Sequence, residues 1–273
     1  MVPMPGLWIV VWFAALAGMV ALLCATFWLQ VRLRRMARRN LELEEAASLL
    51  DPLTGLHNRR YLDSFLALES EGACRAFRDM LAAGQDTTAS REDILLYLLS
   101  LDQFNEINET WGRPAGDAVL LQLARAVKSA TRKSDFRIRW EGDTFLVVAR
   151  RARRSEASTV ARNLMALARG LTFQLPGGVQ VRKRISIGYA ALPLHPNHPE
   201  LGDWQAGVAM AEQCLRAAKL TGRDRWVGAM VEPGAAPGRF TGPEAWSVAS
   251  ALDQRLVRVR CSEPDFIWPA RSC

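Results

Sequence analysis

The sequence predicts an α/β body behind a single membrane-spanning helix. Two observations carry this: one uninterrupted apolar run near the N-terminus, and an alternation of amphipathic helical segments with short apolar strands from residue 51 onward. The 273 residues, 49% hydrophobic and 23% charged, allow one or two domains with a full core and exclude a disordered chain.

The apolar run, Leu7 to Leu29, holds no charged residue and exceeds the roughly 20 residues needed to cross hydrocarbon; Trp8, Trp12 and Trp28 lie near its ends. A cleaved signal peptide fits poorly, because no Lys or Arg precedes the run and its apolar part is too long. A lipoprotein reading of Cys24 meets Leu23, which is bulkier than such a processing site usually accepts. Arg32, Arg34, Arg35, Arg38 and Arg39 follow at once. Basic charge placed there speaks for a membrane surface rather than nucleic acid, and it puts the C-terminal body in the cytoplasm. The net charge of +7 is thus unevenly spread.

Next, Met36 to Leu50 reads as a helix with Leu43, Ala46, Ala47 and Leu50 on one face, a spacer or a short dimerising helix that Asp51-Pro52 ends. Asn58 to Ala67 is helical in pattern, and Ile94 to Leu101 is a continuous apolar run suited to a buried strand. Asp117 to Thr131 carries Val119, Leu120, Leu123 and Val127 on one side of a helix. Arg139 to Val148 (RWEGDTFLVV) reads as two strands joined by a tight turn. Further helices are expected at Ser155 to Ala168 and Asp203 to Leu220, the latter stopping at Gly222, with a strand between them at Val179 to Ala190. Prolines and glycines from Gly228 to Pro243 mark a linker-like tail, in which Trp246 to Val259 could form one short helix. The expected division is 1–30 for the span, 31–50 for a basic juxtamembrane helix, 51–228 for the domain and 229–273 for an extension. Cys24, Cys74, Cys214, Cys261 and Cys273 have no metal-site or disulfide spacing.

Several separated segments together resemble one family. DPLTGLHNRR at Asp51 to Arg60 resembles the DPLTGLxNRR opening of GGDEF domains, the diguanylate cyclase family. Leu101 to Glu109 is similar to its DxDxFKxIND segment, Gly112 to Asp117 to its GHxxGD, and Met210 to Arg223 to its closing ADxALYxAKxxGRN. RWEGDTF then stands where the family has R-(Y/L)-GG(D/E)EF. The resemblance implies a palm-like α+β fold with a central, mostly antiparallel sheet of about five strands flanked by helices. It further implies, in active members, condensation of two GTP into cyclic di-GMP across a dimer, and with the apolar span it points to the bacterial inner membrane.

For the chemistry, the resemblance implies that hard Mg²⁺ (or Mn²⁺) is held by the first Asp of DxD, the next backbone carbonyl and the acidic pair of the hairpin. Here those positions are Ser100, the carbonyl of Leu101, Asp143 and Thr144, so Asp143 alone persists as catalytic and metal-binding acid, with Asp102 and Glu141 as substitutes to be tested. Glu141 also replaces a glycine at which the backbone should approach the nucleotide, while Gly142 is kept. Asn105 replaces a phosphate-facing lysine. Catalysis is therefore expected to be impaired. Asn108 and Asp117 match the guanine readers, and Lys219 and Arg223 the phosphate-binding positions. Without the family, Asp117 reads as a helix N-cap after Gly116, and Lys219 and Arg223 as a solvated basic helix end.

Arg132-Lys133-Ser134-Asp135 precedes Glu141 by five residues, the register of the RxxD inhibitory site at which such proteins bind cyclic di-GMP. Arg can fork onto guanine O6 and N7 while Asp accepts from its N–H edge. Elsewhere such a tetrapeptide is usually a solvated helix end. The expected function is a membrane-anchored, catalytically impaired cyclic di-GMP sensor. The alternatives are an active cyclase or a non-catalytic GTP-binding regulator, as a homodimer or paired with another GGDEF protein. No nucleic acid is expected as a partner.

Overall fold

A computed structural model describes residues 12, 16, 18, 19, 22–36, 49–240 and 246–269. The chain divides into two compact units, Met1–Ser48 and Leu49–Cys273. In the first, the described residues are helical, and Leu22, Leu23, Phe27, Trp28 and Leu29 are all exposed. Among the described residues no helix is long and apolar enough to cross a membrane. Much of the expected span, Leu7 to Leu29, and most of the expected helix from Met36 to Leu50 lie outside the described residues.

In the second unit the order along the chain is β1 (His57–Asn58), α1 (Arg59–Ala82), β2 (Asp93–Leu101), α2 (Phe104–Trp111), α3 (Arg113–Ala130), β3 (Phe136–Glu141) and β4 (Thr144–Ala152). Then come α4 (Ala157–Gly170), β5 (Phe173–Gln174), β6 (Gln180–Val181), β7 (Ile185–Leu192), α5 (Trp204–Leu220), β8 (Trp226–Val231), α6 (Val248–Asp253) and β9 (Val257–Cys261). Seven strands form one mixed sheet in the order β1-β3-β4-β2-β7-β8-β9, and β5 with β6 makes a small separate hairpin. Only β1–β3 and β7–β8 pair in parallel; the other neighbours are antiparallel.

The sheet therefore has more strands than the expected five. One extra is the two-residue β1, too short to leave a sequence pattern. The other is β9, which comes from the supposed linker and pairs along β8 from Val227↔Cys261 to Val231↔Val257. Where one helix was expected, at Trp246 to Val259, the chain makes the short α6 and then this strand. The expected strand from Val179 also splits: Gln180–Val181 pairs with β5, and β7 begins only at Ile185. Helix α1 runs far beyond Ala67, to Ala82, with Asn58 as its N-cap accepting from the Tyr61 amide.

Every residue of β2 is buried. Its even residues Ile94, Leu96 and Leu98 join Leu62 and Leu66 of α1 and Val208, Ala211 and Leu215 of α5 in one core cluster. Its odd residues Leu95, Tyr97, Leu99 and Leu101 join Val119 and Leu123 of α3 and Ala161 and Leu164 of α4 in the other. Side chains alternate along a strand, so a run apolar at both parities signals helices on both faces. Helix α5 lies close on β7: a Cβ at Gly188 would run into the Ala211 carbonyl and the Leu215 amide. Asp203 starts α5 as expected, its side chain accepting from the Ala206 amide at 2.8 Å.

The extension is tied down by His195, which has no exposed surface. Its Nδ1 accepts from the Asn197 amide at 3.2 Å, so Nε2 carries the proton donated to the Ala235 carbonyl at 2.9 Å. Asn197 adds a bond from Nδ2 to the Pro233 carbonyl. Burial pushes the His195 pKa down, helped by His198 and Arg154 and opposed by the Ala235 bond; His57 is shifted the same way. A histidine with a lowered folded pKa leaves the unfolded chain binding more protons, so stability is full above the unfolded value and is lost as pH falls towards the folded one. Denaturation midpoints should accordingly fall as pH drops below about 6.5, the unfolded value. The fall should shrink in His195→Gln, which keeps a donor for Ala235.

Candidate functional site

Three elements meet at the C-terminal end of β2. Ser100 lies opposite Thr144 of β4 and Ser186 of β7 in the sheet register. The β3–β4 hairpin turns through only Gly142 and Asp143, with Gly142 at φ 52°. Positive φ at the first turn residue is what glycine supplies cheaply, and it suits a tight hairpin. The last turn of α5 brings Lys219. The Lys219 ammonium donates to Ser100 Oγ at 2.6 Å, and that hydroxyl donates in turn to Asp143 Oδ2 at 2.6 Å. Ser100 is fully buried, while Lys219 and Asp143 are half-buried, so the two bonds lie at the rim of the interior.

The two candidate substitute acids do not join this cluster. Asp102 Oδ1 accepts from Ser186 Oγ at 2.7 Å and Oδ2 from the Asp224 amide at 2.9 Å, while its own amide reaches the Arg184 carbonyl. Its carboxylate is committed to holding the loop after α5. That loop carries Arg223, at φ 60°, exposed and without a side-chain hydrogen bond among the described residues. Glu141 is exposed at the end of β3, opposite Thr144. Leu101 ends β2 opposite Ile185, its side chain in the core. Asn105 is exposed on α2.

Tested as a metal site, this donor set does not fit Mg²⁺. Among the described residues no group of three or more His, Cys, Asp or Glu could hold a metal ion. In this cluster one carboxylate remains, that of Asp143, and it already accepts the Ser100 proton. Hard dications take oxygen ligands from several carboxylates and carbonyls, which this cluster lacks.

Asn108 and Asp117, expected as guanine readers, do converge. A Cβ at Gly116 would strike Asn108 Oδ1, so the carboxamide of α2 lies directly over the residue before Asp117. Helix α3 starts at Arg113 with Gly112 as its N-cap, so Asp117 sits inside the helix and caps nothing. Neither side chain is hydrogen-bonded among the described residues.

A residue read only as part of the fold proves central to the electrostatics. The Arg139 guanidinium lies 5.2 Å from the Phe145 ring centroid and donates Nη2 to the Gly142 carbonyl, while its buried Nε and Nη1 have no partner. Burial pushes its pKa down; the charges of Asp51, Asp143 and Asp117 push it up. It thereby links the hairpin acid to the expected guanine reader. No signal in the sequence set it apart, since β3 alternates and carries Arg137 and Glu141 at the same parity.

Arg132 and Asp135 lie at the opposite end of β3. Asp135 is 5% exposed; its Oδ2 accepts from the Arg132 amide at 2.9 Å, and its own amide reaches the Arg132 carbonyl at 3.0 Å. A solvated helix end does not describe it. Its Oδ1 is buried with no partner, and both residues line a cavity of about 220 Å³ with Glu156 and Asn163.

The family model of the diguanylate cyclase GGDEF domain matches residues 48–225. The chain belongs to the GGDEF family. It is 31% identical over 182 residues to the probable diguanylate cyclase DgcC of Escherichia coli K12, covering 66% of this chain and 43% of that protein. To the response regulator PleD of Caulobacter vibrioides it is 29% identical over 192 residues, 70% of this chain and 38% of PleD. The chain thus spans less than half the length of these curated relatives. Among solved structures, the GGDEF domain of PA1120 (TpbB or YfiN) from Pseudomonas aeruginosa is 30% identical, with a TM-score of 0.51 over 64% of this chain and 91% of that one. SiaD of the same species, solved with its activator SiaC, is 28% identical at a TM-score of 0.51, covering 79% of this chain and 75% of SiaD. The palm-like α/β fold of the GGDEF domain is accordingly that of this chain.

The Asp102 geometry makes a prediction. Asp102→Ala leaves the buried Ser186 hydroxyl without its acceptor, at a cost of about 1–3 kcal/mol, and frees the part-buried Asp224 amide. Urea titration should show a lower midpoint, and an unchanged midpoint would mean that Asp102 does not hold the loop.

Proposed function

We propose that this GGDEF-family chain acts in cyclic di-GMP signalling as a reader of the dinucleotide, with its cyclase centre impaired. The observation that carries the reading is the buried, unpartnered Asp135 Oδ1 in a cavity that Arg132 also lines. An unpaired buried carboxylate oxygen is costly, and a ligand with ring N–H donors relieves that cost. Arg132, exposed beside it, offers a fork for the O6 and N7 acceptors of a guanine. At the other end of β3, the commitment of Asp143 to Ser100 and the loss of two acids remove the metal-bound triphosphate geometry that the family's reaction needs.

A second reading is supported by its own observation. Asn108, Asp117 and Arg223 make no side-chain hydrogen bonds among the described residues, so a guanine nucleotide bound without turnover has contacts open to it. The chain would then regulate as a homodimer or as the partner of another GGDEF protein. The N-terminal run and its arginines anchor it in the bacterial inner membrane with the domain on the cytoplasmic side. The exposed Leu22, Leu23, Phe27 and Trp28 favour a lipid-facing helix.

Calorimetry on the full chain tests the receptor reading. Cyclic di-GMP should bind, and Arg132→Ala should weaken it by about ten- to a hundredfold, the worth of a charge-assisted hydrogen bond. Absence of binding, or indifference to Arg132→Ala, overturns it. In the same preparations GTP with Mg²⁺ or Mn²⁺ should give no cyclic di-GMP; turnover that Asp143→Asn abolishes would show an active cyclase. Alkaline carbonate washing should leave the full chain with membranes and release a chain beginning at residue 31, and release of both would remove the anchor.

A further inference from the structure

We infer that Lys219 is the resident cation of the hairpin site, standing where the family's divalent metal would be, so that any nucleotide held here is held without metal. Ser100 is the determinant. Its hydroxyl has one proton and two lone pairs. The proton goes to Asp143 Oδ2, and a lone pair takes a proton of the Lys219 ammonium. Ammonium, hydroxyl and carboxylate thus form one chain of opposite charges about the buried Ser100, with no net charge.

A dication entering this chain would have to displace the Ser100 proton or the Lys219 proton from its acceptor. It would also lie a few ångströms from the half-buried Lys219 ammonium, which repels it. An aspartate at position 100 would reverse the balance, adding a second carboxylate beside Asp143. Thr144, opposite Ser100 in the register, is where a third acid would stand.

Lys219 is held in this role from both sides. Helix α5 cannot lift away from β7 without losing the backbone-close contact at Gly188. Ser100 is fixed in the central strand, fully buried. One ammonium proton is used on Ser100, which leaves two donors free for anionic oxygens. Arg223 and the unpaired Nε and Nη1 of Arg139 supply further positive groups near the hairpin and the end of α5. Phosphate charge is then answered by side chains of the protein itself.

The metal half of this inference stands without ligand, while the phosphate half rests on the nucleotide-binding reading above, and the experiment separates them. Electron paramagnetic resonance of Mn²⁺ titrated with the full chain should show the free-ion signal undiminished. The double variant Ser100→Asp, Thr144→Glu, its folding checked by circular dichroism, should remove one equivalent of Mn²⁺ from that signal. Binding of Mn²⁺ by the unmodified chain that Asp143→Asn abolishes would overturn the inference. So would a folded double variant that gains no Mn²⁺, and if that variant does not fold, the unmodified chain still decides. In calorimetry, GTP affinity should be the same in Mg²⁺ and in EDTA, and a tenfold loss in EDTA would overturn the phosphate half. No GTP binding in either buffer would refute the nucleotide-binding reading and, with it, the phosphate half, leaving the Mn²⁺ result to stand alone.

Discussion

Strand β2 is buried from end to end between two layers of helices, and this makes any polar group on it a structural commitment. Two such groups stand near its ends. At the start, Asp93 accepts from the Arg154 amide at 2.8 Å and from Nε and Nη2 of the same arginine at 2.9 and 2.5 Å, and Arg154 also reaches the Pro193 carbonyl. Removing one partner of such a pair leaves a buried charge, at a cost of about 3–5 kcal/mol. At the far end, Ser100 is answered by Lys219 and Asp143. A neutral hydroxyl between an ammonium and a carboxylate is a cheaper group to bury than an acid would be without its metal. Ser100 at this position therefore leaves a satisfied interior without a metal ion.

The same logic separates what the two ends of β3 can do. At the hairpin, every polar atom on Ser100 and one carboxylate oxygen of Asp143 are already bonded within the chain. At the other end, Asp135 spends one oxygen on closing its own turn and keeps the second buried and unused. Closing the turn orients the residue; the spare oxygen gives it something to do. The polar atoms at the hairpin are thus largely committed within the chain, whereas the Arg132–Asp135 end keeps one buried acceptor free.

Much of this was legible in the residues. The hairpin followed from Gly142 between alternating strands, the start of α5 from Asp203, and the burial of β2 from apolar side chains at both parities. The nearness of Asn108 to Asp117 was implied by the family resemblance, although Asp117 as a cap did not survive, because Gly112 and Pro114 begin the helix one turn earlier. Asp102 was illegible as a loop anchor: its partners, Ser186 and the Asp224 amide, are distant in sequence and joined only by the parallel crossover between β7 and β8. The role of Arg139 was hidden likewise, since its charge partners Asp51, Asp117 and Asp143 come from three separate elements.

The extension shows why composition misled there. Pro233, Gly234, Pro237 and Gly238 fall in the connection between β8 and α6, and beyond them the stretch Val257-Arg258-Val259-Arg260-Cys261 alternates with the period of a strand. Five residues of alternation beside a turn-rich segment are too few to outweigh it. The strand is fixed instead from outside. Gln213 of α5 donates to the Trp246 carbonyl and accepts from the Val248 amide, so it holds the start of α6 as a cap would. Phe240 stacks on Trp246 at 4.8 Å and meets His195 edge-on at 5.8 Å. Once held there, Val257 and Val259 pack on the core while Arg258 and Arg260 stay exposed. Charged side chains on an edge strand discourage a further chain from adding to it. The extension thus covers the β8 edge and replaces an apolar edge with a basic one.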